Sequence, residues 1–406
     1  MKTRLVLLLI LLVSTARPQI TPQQEKELFS RIDEMFSQVS EILGMKILRP
    51  VPRAVITRDK IRDYIERRMG EALKPGELRA QELVLKKFGF LPSDYDLKSQ
   101  MVDLLTEQAA AFYDFKQKKL YLSSWIPPGM QDMALVHELA HALADQHFNL
   151  EKFIEKSGDD DDAATARGAV VEGQASWVMT EYLARQIGQS LRTSPQLAHS
   201  AIAASAQAAK EFPVFGAAPL YLRETLLFPY TQGMLFQQAV YEKQGRAAFA
   251  EVFRRAPATS QQVIHAEKYF SRAPASKPGL PAAPPGPGFK KLMAGTIGQL
   301  DLQILIEQSV GEKEARELGP RWKGGRYALW ENPKTRRSVL YYSVEWESEA
   351  DASRYWDLYQ KICAQKWKQL RVAVEQPGER TGAGDDGRFT WTLKGTTFTA
   401  IEGREE

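Results

Sequence analysis

Apolar residues recur every three or four positions through most of the first 270 residues, which predicts a mostly helical region. The first amphipathic helix is expected over residues 22–43, with Thr21-Pro22 at its start. A turn is expected at residues 228–233, before a helix that ends near Gln244. The remaining helices of this region are expected at residues 59–69, 77–88, 97–107, 163–189, 197–209 and 247–255.

A different pattern, rich in aromatic residues, lies between these helices. Two such runs, residues 111–115 and 120–122, flank the polar residues 116–119, which predicts a β-hairpin. A short strand is expected earlier, near residues 54–57. After the break at Pro127-Pro128-Gly129, a helix is expected from about Met130. That helix is apolar or small on nearly all sides, so it should be buried.

The composition changes sharply near residue 272. The stretch from Arg272 to Gly288 holds six prolines and three glycines, which predicts a linker over residues 273–288. Residues 289–406 then alternate between helical and strand patterns, which predicts a small α+β domain of unknown role. Its helices are expected at 301–317 and 349–369, and its strands at 327–331, 338–346, 388–393 and 397–401. The fold class predicted for the whole chain is therefore α+β, mostly helical.

The first sixteen residues have the pattern of a signal peptide. Lys2 and Arg4 precede nine apolar residues, and Ser14-Thr15-Ala16 follows them. Nine apolar residues are fewer than the roughly 20 that cross a bilayer. We expect cleavage after Ala16, export to a bacterial periplasm or medium, and no stable membrane anchor afterwards. The single cysteine, Cys363, excludes an intrachain disulfide.

Composition and charge narrow the range of partners only slightly. The chain of 406 residues is 44% apolar and 26% charged, with a formal net charge of +4. These values are those of an ordinary globular protein. No basic stripe interleaved with aromatic residues is present, so we expect no nucleic-acid partner.

The buried helix predicted from Met130 carries the chemistry. It contains His137-Glu138-Leu139-Ala140-His141, the H-E-x-x-H pattern of a zinc-binding helix. Residues four apart lie on the same face of a helix, so His137 and His141 can bind a single ion. Glu138 lies beside them, where it can accept a proton from a zinc-bound water.

A catalytic zinc ion needs a third protein ligand, and two candidates compete. His147 has the spacing of the last histidine in metzincins, but Ala144 replaces the glycine at which their chain turns. If the helix continues, His147 lies about 240° around it from His141 and points away. Glu172 is a carboxylate within a second apolar helix, next to small residues such as Gly173 that allow close helix packing. We favour Glu172.

This set of residues resembles the gluzincin metallopeptidases, whose third ligand is a downstream glutamate in a helix. The resemblance also extends to a group of exported bacterial zinc metallopeptidases over roughly residues 105–270. It implies His137, His141 and Glu172 as zinc ligands and Glu138 as general base. It also implies a zincin-like domain over residues 17–272, of which 17–105 are either an N-terminal subdomain or a pro-segment. The Glu172 spacing is longer than in thermolysin-like enzymes, and no motif identifies the residue that stabilises the transition state.

The function expected from these features is that of an exported zinc-dependent peptidase acting on a peptide or protein. Tyr230 and His265 are candidates for the donor that stabilises the oxyanion. Two alternatives stay open: a metal-binding scaffold or adhesin without catalysis, and a zinc amidase that acts on cell-wall crosslinks. The acidic run at residues 159–162 is expected in a solvated loop or at a helix N-terminus.

Overall fold

A computed structural model describes residues 20–404, apart from the side chains of Ala72 and Pro128. The predicted signal peptide therefore lies outside the described residues. The fold is α+β, with 56% helix and 17% strand. Within residues 20–404, no helix is both long and apolar enough to cross a membrane.

The described chain begins with helices and a small sheet, followed by a helical region that extends to Phe270. The helices before Phe270 are α1 (Pro22–Ser30), α2 (Ile32–Leu43), α3 (Arg58–Ala72), α4 (Glu77–Phe88), α5 (Leu97–Gln108), α6 (Pro128–Phe148), α7 (Leu150–Glu155), α8 (Asp161–Gln186), α9 (Gln196–Ala209), α10 (Pro213–Ala217), α11 (Leu220–Gln244), α12 (Ala248–Arg254), α13 (Ser260–Ile264) and α14 (Ala266–Phe270). The strands of the same region are β1 (Arg53–Ile56), β2 (Ala111–Asp114) and β3 (Lys119–Ser123).

The N-terminal helix predicted over residues 22–43 is divided into α1 and α2 at Arg31. Its predicted start is confirmed, because Thr21 and Gln24 form a capping box at the beginning of α1. The predicted hairpin is also confirmed, with β2 and β3 antiparallel. β1 pairs with β3 in parallel, which gives the strand order β1-β3-β2 and leaves β2 at an edge.

Three long helices, α6, α8 and α11, form the centre of the helical region. α8 and α11 approach until their backbones touch: a Cβ built on Gly173 would lie 2.1 Å from the carbonyl carbon of Gly233. A Cβ on Gly233 would lie 2.2 Å from the carbonyl oxygen of Ala169. Only glycine allows this crossing, so the prediction that Gly173 permits close helix packing is confirmed.

The turn predicted at residues 228–233 is wrong. α11 continues through Pro229, which lies inside the helix. A proline there removes one backbone hydrogen bond and crowds the preceding turn. Here the helix is held along its length by packing against α8, so tertiary contacts outweigh the local preference.

The C-terminal region is built on a second, larger sheet. Its helices are α15 (Gln299–Ser309), α16 (Glu312–Leu318) and α17 (Glu349–Lys366). Its strands are β4 (Lys290–Thr296), β5 (Trp322–Glu331), β6 (Ser338–Trp346), β7 (Arg371–Gln376), β8 (Glu379–Gly384), β9 (Gly387–Lys394) and β10 (Thr397–Arg404). The strand order is β4-β5-β6-β10-β9-β8-β7, and neighbouring strands are antiparallel. Sequence patterns predicted four of these strands and missed β4, β7 and β8.

The proline-rich segment at residues 273–288 contains no helix or strand, but it lies against the C-terminal sheet. The Ser276 amide donates to the Lys323 carbonyl at 2.8 Å, and the Tyr341 hydroxyl donates to the Ala283 carbonyl at 3.0 Å. Leu280 packs against the apolar cluster that includes Trp330. The segment is therefore attached to the fold along its length.

The two regions on either side of this segment pack together. The Tyr327 hydroxyl donates to Asp161 at 2.9 Å, and the Tyr221 hydroxyl donates to Asp301 at 2.9 Å. One continuous apolar core includes residues from both regions, so the C-terminal sheet supports the start of α8.

Candidate metal centre

α6 carries the H-E-x-x-H residues in the middle of an unbroken helix. His137 and His141 lie four residues apart, and the centroids of their rings are 4.6 Å apart. These two side chains and Glu138 are at most 1% exposed. One ligand atom from each lies within 4.8 Å of the others, which is close enough to hold one metal ion.

α8 brings Glu172 to the same point. Its Oε2 lies 3.2 Å from His137 Nε2 and 3.4 Å from His141 Nε2. The Glu172 side chain is 3% exposed, so it is shielded from water as thoroughly as the two histidines. Because this oxygen faces both imidazoles, Glu172 stands where a third ligand would be needed.

His147 lies elsewhere. α6 continues through Ala144 to Phe148, as expected if alanine does not turn the chain. His147 is exposed, and its Nε2 donates to the carbonyl of Lys46 at 2.8 Å. The structure therefore does not bring His147 to His137 and His141.

Tyr230 joins the centre from α11. Its hydroxyl donates a hydrogen bond to Glu172. Its ring lies nearly parallel to that of His137, with centroids 6.0 Å apart and planes inclined by 23°. Tyr230 is one turn before Gly233, so the close crossing of α8 and α11 places this hydroxyl beside Glu172.

His265, the other candidate oxyanion donor, is not brought to this cluster. It lies between α13 and α14 and faces the C-terminal region. Its Nε2 lies 3.1 Å from Gln299 Nε2, and its Nδ1 lies 3.6 Å from Glu267. A residue held in this way cannot also serve the cluster on α6 and α8.

Sequence analysis missed the contact that ties the hairpin to α6. Asp145 lies one turn after His141 and accepts a hydrogen bond from the Tyr113 hydroxyl at 2.9 Å. Lys118 pairs with the same carboxylate at 2.7 Å. The sequence does show Asp145 on an apolar helix, which indicates that the carboxylate needs a partner. It does not show that this partner lies in the hairpin. The contact fixes the hairpin beside the face of the helix that carries His137 and His141.

Burial determines the charge state of the centre. It lowers the pKa of His137 to about 4 and that of His141 to about 3, so both imidazoles are neutral at pH 7. Burial also raises the pKa of Glu172, while His137 and Tyr230 oppose this. The pKa of Glu138 is raised well above its usual value, first by burial and then by the charge of Glu172.

Several buried polar atoms of the centre have no hydrogen-bond partner. They are His137 Nδ1, both carboxylate oxygens of Glu138, His141 Nε2 and Glu172 Oε1. Unpaired buried polar groups are costly and rare in folded proteins. Two neutral imidazoles and a carboxylate facing each other are the donor set that a divalent cation such as Zn²⁺ takes. The residues therefore fit a metal ion, although the same donors also suit other divalent transition metals.

Comparison with known proteins adds information on the C-terminal region only. A family model described as "Domain of unknown function (DUF8575)" matches residues 290–406. No curated protein and no solved structure matches the chain. The matched range begins at β4, and the metal centre lies outside it.

Proposed function

We propose that the protein is an exported, zinc-dependent peptidase with a zincin-like catalytic region over residues 17–272. The observation that carries this proposal is the convergence of His137, His141 and Glu172 around unpaired buried atoms, with Glu138 beside them. A structural metal site has no use for a further buried carboxylate beside its ligands that forms no ion pair with any described side chain. Glu138 therefore favours a catalytic centre over a metal-binding scaffold.

The edge strand β2 favours a peptide as the substrate. It contacts α6 and pairs with β3 on one side only. An extended peptide can add to an edge strand by main-chain hydrogen bonds, and because all four residues of β2 are buried, such a peptide would have to lie in the interior beside α6. A cell-wall crosslink has less extended backbone to pair in this way, so the amidase alternative is less well supported.

The chemistry divides among four side chains. Zinc, when bound, supplies a water of lowered pKa and a Lewis acid for the carbonyl group. The neutral imidazoles of His137 and His141 present nitrogen lone pairs, and Glu172 adds negative charge. Glu138 accepts a proton on its carboxylate and returns it to the leaving amine. Burial and the neighbouring charge of Glu172 raise the pKa of Glu138 above its usual value, which increases the affinity of this carboxylate for a proton.

Tyr230 has two tasks in this proposal. Its hydroxyl holds Glu172 in place, and it is the candidate donor for the developing oxyanion. His265 has neither role, because its contacts are with Gln299 and Glu267.

The test combines metal analysis with one substitution. The wild-type protein should contain one zinc ion and should cut peptides in a mixed library. Glu138→Gln should keep its zinc and its fold but lose about 10²- to 10⁴-fold in turnover, since the amide cannot accept the proton. Glu155→Gln, the same change at an exposed position near the end of α7, is the matched control and should remain active. Near-normal turnover by Glu138→Gln would show that the mechanism is wrong, and a wild-type protein that binds no metal would exclude the proposed class.

A further inference from the structure

A cavity of about 160 Å³ reaches the metal centre from the side of the N-terminal helices. Glu172 and Tyr230 line it at one end. Its middle is apolar, and the side chains that form it come from the α3 region, α5 and α11: Met69, Leu73, Met101, Leu105, Leu222 and Leu226. We call this space the inner cavity.

The far end of the inner cavity is polar but already paired. Asp161 and Asp301 line it there, and their carboxylates accept hydrogen bonds from Tyr327 and Tyr221. The apolar middle section is therefore the part of the cavity that can receive a new group.

The volume of the cavity limits what it can hold. Cavities for whole small-molecule ligands measure roughly 300–1,000 Å³. An apolar cavity of about 150 Å³ is known to take up a single benzene molecule. The inner cavity is of this smaller size, so it fits one large apolar side chain and excludes a larger ligand.

The N-terminal helices also separate the inner cavity from the space beyond it. A second cavity of about 500 Å³ lies outside it and is lined by polar residues such as Lys74 and Lys98. Met69, Leu73 and Leu78 line both cavities, so they stand between the outer space and the inner one. α3 and α5 thus supply one wall of the inner cavity.

We propose that the inner cavity is a substrate pocket for one large apolar side chain next to the bond that is cut, and that α3 and α5 form its lasting wall. On this proposal residues 58–108 belong to the working enzyme as a subdomain, whereas removal of a pro-segment would take this wall away. The cleavage part of this inference rests on the proposed function, whereas the binding of an apolar side chain does not.

The test compares peptides that are identical except for Phe, Leu, Ala or Asp beside the cleaved bond. The wild-type protein should prefer Phe or Leu over Ala by about tenfold or more in kcat/KM, the scale of discrimination in an apolar pocket. Leu226→Trp on α11 and Met101→Trp on α5 should each fill the cavity and remove most of this preference. In both variants, kcat/KM for the Phe and Leu peptides should fall toward the value for the Ala peptide.

Leu48→Trp is the matched control. Leu48 is 58% exposed on the surface, so this substitution should leave the preference for Phe and Leu unchanged. Two variants on different helices protect the test against the misfolding of either. A wild-type protein that shows no preference for apolar residues would overturn the inference. So would a Met101→Trp variant that folds and keeps the wild-type preference, since α5 would then not be a wall.

Binding measured without hydrolysis separates this inference from the proposed function. Glu138→Gln should bind the Phe peptide at least about tenfold more tightly than the Ala peptide in calorimetry, with a negative heat-capacity change. If no peptide is cut but this binding difference appears and is lost in Leu226→Trp, the pocket stands and the peptidase proposal fails. If peptides are cut without any apolar preference, the peptidase proposal stands and the pocket inference fails.

Discussion

Two buried glutamates, one in each region of the molecule, have very different surroundings. Glu402 on β10 is fully buried, and its Oε1 accepts hydrogen bonds from Tyr359 at 2.9 Å and from Trp391 at 3.2 Å. Its Oε2 is paired with the ammonium group of Lys366. Glu172 on α8 is almost as deeply buried, but its Oε1 has no partner and its Oε2 faces two neutral imidazoles.

The fold neutralises the charge of Glu402 with its own side chains, but it does not do so for Glu172. A buried ion is tolerated when an opposite charge and hydrogen bonds satisfy it, as they do for Glu402. Glu172 accepts a hydrogen bond from Tyr230, but its only ion-pair neighbours among the described residues are two neutral imidazoles, so a cation from outside the chain would supply the missing opposite charge. Completeness of the hydrogen bonding therefore separates a structural carboxylate from a candidate ligand more clearly than burial does.

The largest expected change in stability follows from the substitution of Glu402. Glu402→Ala leaves Lys366 buried without its partner, so the free energy of unfolding should fall by about 3–5 kcal/mol in urea denaturation. Zinc content should not change, because the metal centre lies in the other region. Adding Lys366→Met should recover much of the loss. A loss below about 1 kcal/mol for Glu402→Ala would mean that this ion pair contributes little.

Glu172→Ala should have the opposite pair of effects: it should lower the zinc affinity and have little effect on stability. Removal of a ligand should weaken zinc binding by more than the 10–100-fold typical of groups that only orient ligands. In the presence of a chelator, the variant should lose little or no stability, because the removed carboxylate is buried without a charged partner and only its hydrogen bonds are lost. Zinc titration and urea denaturation with and without chelator measure the two effects.

His147→Ala is the control for that experiment, since His147 is exposed and bonded to Lys46. It should keep its zinc. Loss of zinc in His147→Ala with retention in Glu172→Ala would replace the gluzincin-like centre by a metzincin-like one. Zinc retained in both variants would point to a different third ligand.

A smaller effect is expected at Asp162, a third buried carboxylate, which lies where α8 meets the C-terminal region. Its Oδ1 accepts a hydrogen bond from the Ser260 amide at 3.0 Å, and its Oδ2 has no partner. Burial raises the pKa of Asp162 from 3.8 to about 7. This carboxyl group is therefore protonated in the folded protein at pH values where it is charged in the unfolded chain.

The sign of the pH dependence follows from that difference. Below about pH 4 both states hold the proton, so Asp162 has no effect on stability. Between about pH 4 and 7 the folded state binds more protons, so its contribution to stability falls by up to a few kcal/mol as the pH rises. Asp162→Asn should remove this part of the fall in the free energy of unfolding with pH. Relative to the wild-type protein, the variant should therefore be more stabilised at pH 7.5 than at pH 4.5. Urea denaturation at the two pH values measures it, and an unchanged slope would show that Asp162 is charged in the folded protein.

Local sequence patterns were sufficient for most of the elements. Periodicity predicted α4 over residues 77–88 and β6 over residues 338–346 with the observed bounds. The aromatic runs predicted the hairpin of β2 and β3, because both strands are short and close in sequence. The strands β7 and β8 were missed, since they are mostly exposed or only half-buried and show no clear alternation of apolar and polar residues.

The sequence by itself determined that His137, Glu138 and His141 share one buried helix, because the helical repeat places residues four apart on one face. It also determined that His147 points away, because alanine at position 144 lets the helix continue. Only the tertiary structure decided what lies opposite that helix. Glu172 and Tyr230 reach the centre because Gly173 and Gly233 let α8 and α11 touch, and this contact joins residues about sixty positions apart. The local pattern indicated that Gly173 permits a close crossing, but it did not identify the helix that crosses there. For the same reason, only the structure could place His265 elsewhere and carry α11 through Pro229.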